Sequence, residues 1–150
     1  MVRDVTLPAT SREIAEELRP ALIRLARELR RETEQLGLTS RQVTLLWLVR
    51  RSPGLSLREL AAEEGISAPA LSGHVDRLET AGLLERIRSS EDRRRVGLAL
   101  TSEGERILRR VRARRTTWLS TRLDELDQAE RDALARALPA LRRLMGEESS

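Results

Sequence analysis

The 150-residue sequence contains no cysteine, phenylalanine or tyrosine, and it has a single histidine. Without cysteine the chain can form no disulfide, sense no oxidant through a thiol and build no cysteine-ligated zinc site. The single His74 could join a metal centre only with several carboxylates, or a Ser-His-Asp triad only if the partners converged on it. No glycine-rich phosphate-binding loop is present. We therefore expect no metal, no cofactor, no catalytic residue and no enzyme activity.

Long apolar runs are absent as well, since no stretch approaches the roughly 20 residues that a membrane-spanning helix needs. The first residues also lack the apolar segment of a secretory signal. These absences predict a cytoplasmic protein without membrane contact. The length suits one compact domain with a sizeable core. With 27 leucines and only two aromatic residues, that core is aliphatic and its elements favour helix.

Lysine is missing too, so all 28 basic residues are arginines, which stay protonated and form forked contacts with phosphate. Residues 86–95 hold five arginines and two acids, and such a local excess is typical of nucleic-acid binding. A charge run can equally be a solvated surface, so the elements on either side of it must distinguish that interpretation from nucleic-acid binding. Residues 106–115 hold six further arginines and no acid. A solvated helix face or salt bridges across a dimer suit that segment better than a second DNA contact.

Helix start and stop signals recur along the chain. Capping-box spacings begin at Thr10, Thr39, Ser56 and Asp127. Glycines suited to helix C-termini follow at Gly37, Gly65, Gly82 and Gly146. Between 56 and 82 the signals define two short helices, "SLRELAAEEG" and "SAPALSGHVDRLETAG", with only Ile66 between them. Two short helices joined by a tight glycine-containing turn make a helix-turn-helix.

Two alternating segments, 83–88 and 96–100, then flank a polar loop and predict a hairpin with arginines at its tip. The fold class is therefore mainly α, a winged helix-turn-helix with a small β-hairpin wing. Apolar stripes on the first and last helices exceed what one winged domain can cover, which predicts dimerisation helices at both ends. We divide the chain into an N-terminal dimerisation helix (1–38), a DNA-binding region (39–100) and C-terminal dimerisation helices (101–150).

The element order resembles the multiple antibiotic resistance regulator (MarR) family. The likeness is carried by "LTSRQVTLLWLV", by Asp76-Arg77-Leu78-Glu79 followed by Gly82-Leu83, and by a wing leading into Leu100-Thr101-Ser102-Glu103-Gly104. It implies a homodimer that binds double-stranded DNA at a palindromic operator. Many members are repressors that small aromatic or phenolic effectors release from DNA. By the same resemblance Asp92 pairs with an arginine of the wing, while Arg94 enters the minor groove.

On a helical wheel of residues 68–80, Leu71, Val75 and Leu78 point inward, which leaves a small, partly basic face outward. Small residues let a helix approach the groove floor, while Arg77 suits a phosphate contact. The family often has a long polar residue where this chain has Gly73, so operator preference does not transfer from relatives. The predicted DNA-contacting residues are Ser56, Ser67, Ala68, Ala70, Ser72, Gly73, His74, Arg77, Asp92, Arg93, Arg94 and Arg95.

Two further hypotheses concern ligands and partners. In the architecture that this chain resembles, an effector pocket would lie near the second helix and the long fifth helix. The resemblance therefore makes Trp47 and Trp118, the only aromatic residues, and Leu22 the candidate walls of that pocket. Core or interface packing is the commoner role of such side chains. The alternative function is a winged-helix module for protein–protein interaction without operator specificity. That alternative expects loss of the wing arginines and of the polar recognition-helix face, and this sequence retains both.

Overall fold

The computed structural model describes residues 10–88, 92 and 94–146. Six helices and a two-stranded antiparallel hairpin lie in this part of the chain, which confirms the predicted mainly α winged helix-turn-helix. In chain order they are α1 (Ser11–Glu34), α2 (Ser40–Arg51), α3 (Leu57–Glu64), α4 (Ala68–Thr80), β1 (Leu84–Arg88), β2 (Val96–Leu100), α5 (Ser102–Asp124) and α6 (Gln128–Leu144). Contacts group these elements into two units, divided within α5 between Arg114 and Arg115. The three-part division at 38 and 100 stays a prediction.

The helix boundaries follow the capping signals of the sequence. All four predicted capping boxes form, at Thr10, Thr39, Ser56 and Asp127. Each satisfies backbone N–H groups that the first helical turn leaves unpaired. Gly65 ends α3 in the left-handed conformation, with φ of 64°. This turn lets Ser67 cap α4 after one intervening residue.

The core of the first unit is aliphatic and is centred on α2, α4 and the hairpin. Leu71, Val75 and Leu78 of α4 are buried, as the helical wheel predicts. They pack in one cluster with residues of α2, α3, the strands and α5, including Leu46, Val49, Leu60, Leu84, Leu98, Leu108 and Val111. The recognition helix is thus held by its whole inner face, which leaves the opposite face for solvent or a partner.

Thr101 explains the Leu-Thr-x-x-Gly segment that follows the wing. Its hydroxyl donates to the carbonyl oxygen of Gly82 (2.6 Å) and accepts from the backbone N–H of Gly104 (3.0 Å). The Thr101 N–H also donates to the carbonyl of Leu83 (3.2 Å). Gly104 is needed because a Cβ there would lie 2.1 Å from that same carbonyl oxygen. One threonine therefore caps α5 and ties it to the turn after α4.

The second strand of the wing is anchored on the loop after α2. The Gly54 N–H donates to the carbonyl of Leu98 (2.9 Å), and the Leu98 N–H donates to the carbonyl of Leu55 (3.0 Å). This pairing brings two backbones so close that a Cβ on Gly97 would lie 2.2 Å from the Gly54 carbonyl oxygen. A side chain at position 97 would therefore force the strand and the loop apart.

We predict that Gly97→Ala lowers the free energy of unfolding by about 1–3 kcal/mol, the usual range for overpacking. Urea unfolding of the wild type and the variant measures the change. Gly73→Ala is the matched control, because a Cβ there would make only an ordinary contact, 3.9 Å from Nη2 of Arg77. This control should raise stability by about 1 kcal/mol, the helix-propensity difference between the two residues. Wild-type stability of Gly97→Ala would contradict the close approach.

The two terminal helices each expose apolar side chains. On α1 the exposed residues include Ile14, Leu22 and Ile23, and the only buried one is Thr33. Helix α6 buries none of its residues, although Leu134 and Leu138 are 46% and 49% exposed. None of the helices described combines the length and the apolarity needed to cross a bilayer. The apolar stripes predicted for the two ends of the chain are therefore solvent-facing in the single subunit.

Candidate DNA-binding site

The outward face of α4 is small at its N-terminal end and basic one turn later. Ser67 caps the helix by accepting from the N–H of Ala70 (3.3 Å). Pro69, Ala70 and Arg77 are exposed, and Gly73 is half-buried. These four residues lie opposite the buried side chains of the helix. The face is thus narrow enough to approach a groove floor and carries one cation.

Gly73 leaves space that Arg77 partly occupies. A Cβ built on Gly73 would meet one atom, Nη2 of Arg77, at 3.9 Å. The guanidinium therefore lies back along the helix, as long side chains tend to point toward the N-terminus of their helix. Arg77 makes no ion pair or hydrogen bond with a described residue. Its charge is free for an external anion or hydrogen-bond acceptor.

The two acids near the end of α4 both contact one arginine of the wing. Arg86 of β1 places Nη2 at 2.8 Å from Oδ1 of Asp76 and Nε at 2.9 Å from Oε2 of Glu79. All three side chains are well exposed, so the contribution to stability is small, and the arginine offsets one of the two negative charges. The sequence reasoning did not find this contact. A recognition helix that carries two carboxylates needs a nearby cation, and that need was the available signal.

At the wing the arginines separate into different roles. Oδ1 of Asp92 accepts from the N–H of Arg94 (2.9 Å), and the N–H of Arg95 donates to the Asp92 carbonyl (2.9 Å). Asp92 therefore shapes the loop through the backbone of the arginines that follow. The Arg94 side chain is exposed and makes no ion pair within the described part of the chain. Arg93 lies outside the described residues.

The Arg95 side chain turns back to the helix-turn-helix and pairs with Glu59 of α3. Glu59 also accepts from the N–H of Ser56 (2.7 Å), the cap residue of α3. The hydrogen bonds from Ser56, followed by the positive charge of Arg95, lower the pKa of Glu59. Arg95, which the sequence placed among the DNA contacts, thus joins the base of the wing to α3. Arg94 is left as the described arginine free at the tip.

The remaining predicted contacts flank the outward face of α4. Ser72 and His74 are half-buried, and Ala68 packs partly against the core. Nδ1 of His74 is buried and finds no hydrogen-bond partner among the described residues. The hydroxyl oxygens of Ser56 and Ser67 both serve as helix caps. The structure therefore brings Ala70, Gly73 and Arg77 onto one face and leaves these other residues at its margins.

The three candidate pocket residues do not share one described cavity. Trp47 is half-buried and lines an open depression with Thr44, Leu48, Arg50, Arg51 and Glu64. The Arg50 guanidinium lies 5.2 Å from the centre of its ring. Leu22 does not line this depression. Trp118 belongs to the second unit, where Arg122 stacks on its ring at 3.7 Å. Within the described ranges no three acidic or histidine side chains form a metal-binding group.

The arginine-rich start of α5 is partly paired within the subunit. Arg106 contacts Glu103 (2.6 Å), and Arg114 contacts Glu32 of α1 (3.2 Å). Arg109, Arg110 and Arg112 are exposed and form no ion pair with a residue that the structure describes. Part of the segment is thus a solvated helix face, and part braces α5 against α1.

Comparison with known proteins finds a family model, transcriptional regulators and a solved structure that are similar to this chain. The MarR family model matches residues 38–96. The HTH-type transcriptional regulator FarR of Neisseria gonorrhoeae is 39% identical over 77 residues, so the match covers 51% of this chain and 53% of FarR. The HTH-type regulator YfiV of Bacillus subtilis is 30% identical over 114 residues, 76% of this chain and 71% of that protein. The crystal structure of RV1404 from Mycobacterium tuberculosis gives a TM-score of 0.78 at 27% identity, covering 95% of this chain and 99% of that one.

Proposed function

Because this chain belongs to the MarR family of DNA-binding transcriptional regulators, we propose that it is a repressor that binds a palindromic operator as a homodimer. One observation carries the proposal. The outward face of α4 is small, and Arg94 of the wing is exposed and forms no ion pair with a described residue. Arg86 also offsets one of the two negative charges of Asp76 and Glu79. The protein acts by occupying DNA, and it performs no chemistry on a substrate.

In the proposed complex, α4 enters the major groove and the wing lies along the adjacent minor groove. Ala70 faces the groove floor, where its methyl group suits a thymine methyl. Arg94 suits a narrow minor groove, whose potential is more negative than that of a wide one. Arg86 offsets one of the two negative charges of Asp76 and Glu79, which lessens the repulsion that these carboxylates would meet near phosphates. Repression needs only that the bound dimer cover a promoter, whereas activation needs a further surface for polymerase.

A dimer is supported by the exposed apolar faces of α1 and α6. A helix without one buried residue gains little from packing inside its own subunit. Leu134, Leu138 and Leu144 would leave water if a second subunit covered α6, and such burial drives association. A two-fold symmetric dimer would present its recognition helices about one helical turn of DNA, roughly 34 Å, apart.

We predict that the wild type sediments as a dimer of the 17.0 kDa chain at micromolar concentration. Leu134→Glu combined with Leu138→Glu should give monomers, because each subunit would then bury charge at the interface. Arg136→Glu is the control, since it changes the net charge by the same amount on a different side of α6. A wild-type monomer, or a double variant that remains dimeric, would contradict the assignment of α6 to the interface.

Selection of bound sites from a random pool of double-stranded DNA tests the function itself. A palindromic consensus, bound in a strongly salt-dependent manner, is the expected result. Transcription from a promoter that contains this site should fall when the protein is added. A winged helix adapted to protein contacts would instead yield no consensus sequence. Activation of the same promoter would overturn the proposal of repression while leaving operator binding intact.

We also propose that a small aromatic or phenolic effector releases the protein from DNA, with the depression beside Trp47 as its site. Trp47 offers a ring to stack on, and Arg50 and Arg51 offer charge to a phenolate or a carboxylate. The test is to add such compounds to the protein bound to DNA. They should release the wild type from DNA but should not release Trp47→Leu. Equal release of the variant would exclude this depression.

A further inference from the structure

We infer that Arg77 reads a guanine in the major groove across the gap that Gly73 leaves in α4. The inference rests on the proposed function, because it assumes that α4 enters that groove. It replaces the phosphate contact that the sequence alone suggested for Arg77. It also gives Gly73 a role in base specificity, whereas a glycine within a helix otherwise only lowers the stability of that helix.

The geometry places the Arg77 guanidinium near the crest of the outward face. Gly73 lies directly opposite the buried Leu71, Val75 and Leu78. A Cβ on Gly73 would have Nη2 of Arg77 as its sole neighbour, at 3.9 Å. The crest of a recognition helix goes deepest into the groove, whereas phosphates line the groove edges. A guanidinium beside residue 73 is therefore better placed for base edges than for phosphates.

The chemistry of the face points the same way. Pro69, Ala70 and Gly73 carry no side-chain donor or acceptor, so Arg77 is the hydrogen-bonding residue among the four. A guanidinium can donate two parallel hydrogen bonds to O6 and N7 of guanine. Small neighbours let the helix come close enough for a folded-back arginine to reach the base.

The two acids nearest to Arg77 in the sequence point to other faces of α4 and contact Arg86. Arg86 contacts Asp76 with Nη2 and Glu79 with Nε, at 2.8 and 2.9 Å. Arg77 makes no ion pair with any residue in the described ranges. It therefore breaks no ion pair with a described residue when it binds a base.

The test compares base preference with salt dependence in Arg77→Lys and Arg77→Ala. We expect the selected operator to contain a guanine in each half-site whose replacement weakens wild-type binding about 5- to 150-fold, as for a bidentate arginine–guanine pair. Arg77→Lys keeps the charge but cannot donate the same planar fork, so it should weaken this preference while retaining the salt slope. The lysine is the matched control for charge.

Substitutions at Gly73 provide an independent check. Gly73→Ala should weaken the guanine preference less than a larger side chain does, because its Cβ makes only an ordinary contact with Arg77. Gly73→Leu fills the gap and should displace the guanidinium, so the ratio of affinities for guanine and other bases should approach unity. Leucine is a good helix former, so α4 should remain folded, which circular dichroism verifies.

Three outcomes would overturn the inference. In the first, Arg77→Lys retains the full guanine preference. In the second, Arg77→Ala lowers the salt slope by about one contact per subunit with base preference unchanged, which identifies a phosphate contact. In the third, the operator contains no guanine that depends on Arg77. If instead the wild-type selection recovers no consensus at all, the proposed function fails, and the inference fails with it.

Discussion

An Ala70→Glu variant should fold and dimerise like the wild type and yet lose specific operator binding. Ala70 is exposed in the first turn of α4, on the face proposed to meet the groove floor. A glutamate there would bring a carboxylate against base edges and phosphates. Affinity should fall to the non-specific level, a loss of roughly 4–10 kcal/mol for a typical regulator. Folding should not suffer, because an acid in the first turn of a helix is favoured by the helix dipole.

Fluorescence anisotropy measures this loss when the variant is titrated against the selected operator and against a scrambled sequence. Ala113→Glu is the matched control, since Ala113 is exposed on α5 and the substitution adds the same charge. The control should bind the operator nearly as well as the wild type. If Ala70→Glu remained within about tenfold of the wild type on the operator, α4 would not be the element in the groove.

Removal of the Arg94 side chain from the wing should have the second large effect. Arg94→Ala should weaken binding at every operator, because a hydrogen bond to a charged group contributes about 1.5–3 kcal/mol and a dimer loses two sets of them. The salt slope should fall by about one contact per subunit. Preference for A·T pairs in the sequences under the wing should also flatten, since arginine reads groove width there.

Titrations across salt concentrations, on operators with A/T-rich and G/C-rich flanks, check these effects. Arg94→Lys is the control for charge and should recover most of the salt slope. Thermal stability of Arg94→Ala should match that of the wild type, because the side chain is exposed. Wild-type affinity of Arg94→Ala for both operators at moderate salt would mean that residues 86–95 are a solvated charge run.

Local signals in the sequence predicted most of the fold. Capping boxes span three residues, and the inward face of α4 repeats every three or four residues, so both can be found without tertiary information. Thr39, Ser56 and the buried Leu71 all appear where these patterns put them. The wing was predicted from residues that alternate between the two faces of a strand in segments 83–88 and 96–100, and five residues of each segment pair in the hairpin.

The distribution of charge over the site could not be predicted in the same way. Arg86 and Asp76 are ten residues apart in sequence, and Arg95 and Glu59 are 36 apart. No periodicity links such positions, because the pairs exist only after the hairpin folds onto α3 and α4. The sequence therefore grouped Arg94 with Arg95, and only the fold separates a free arginine from a tethered one. The contact between Arg77 and the gap at Gly73 depends on a side-chain rotamer, which spacing does not specify either.

The hydrogen bonds of Thr101 have a mechanical consequence. This residue lies at the end of β2, and its hydroxyl and backbone N–H form hydrogen bonds with the turn after α4 and with the first turn of α5. With Gly104 pressed on the carbonyl of Leu83, no slack remains at the junction. The first turn of α5 is therefore held tightly against both the end of α4 and the wing. We therefore expect a tilt of that turn to move α4 and the wing together, without bending either of them.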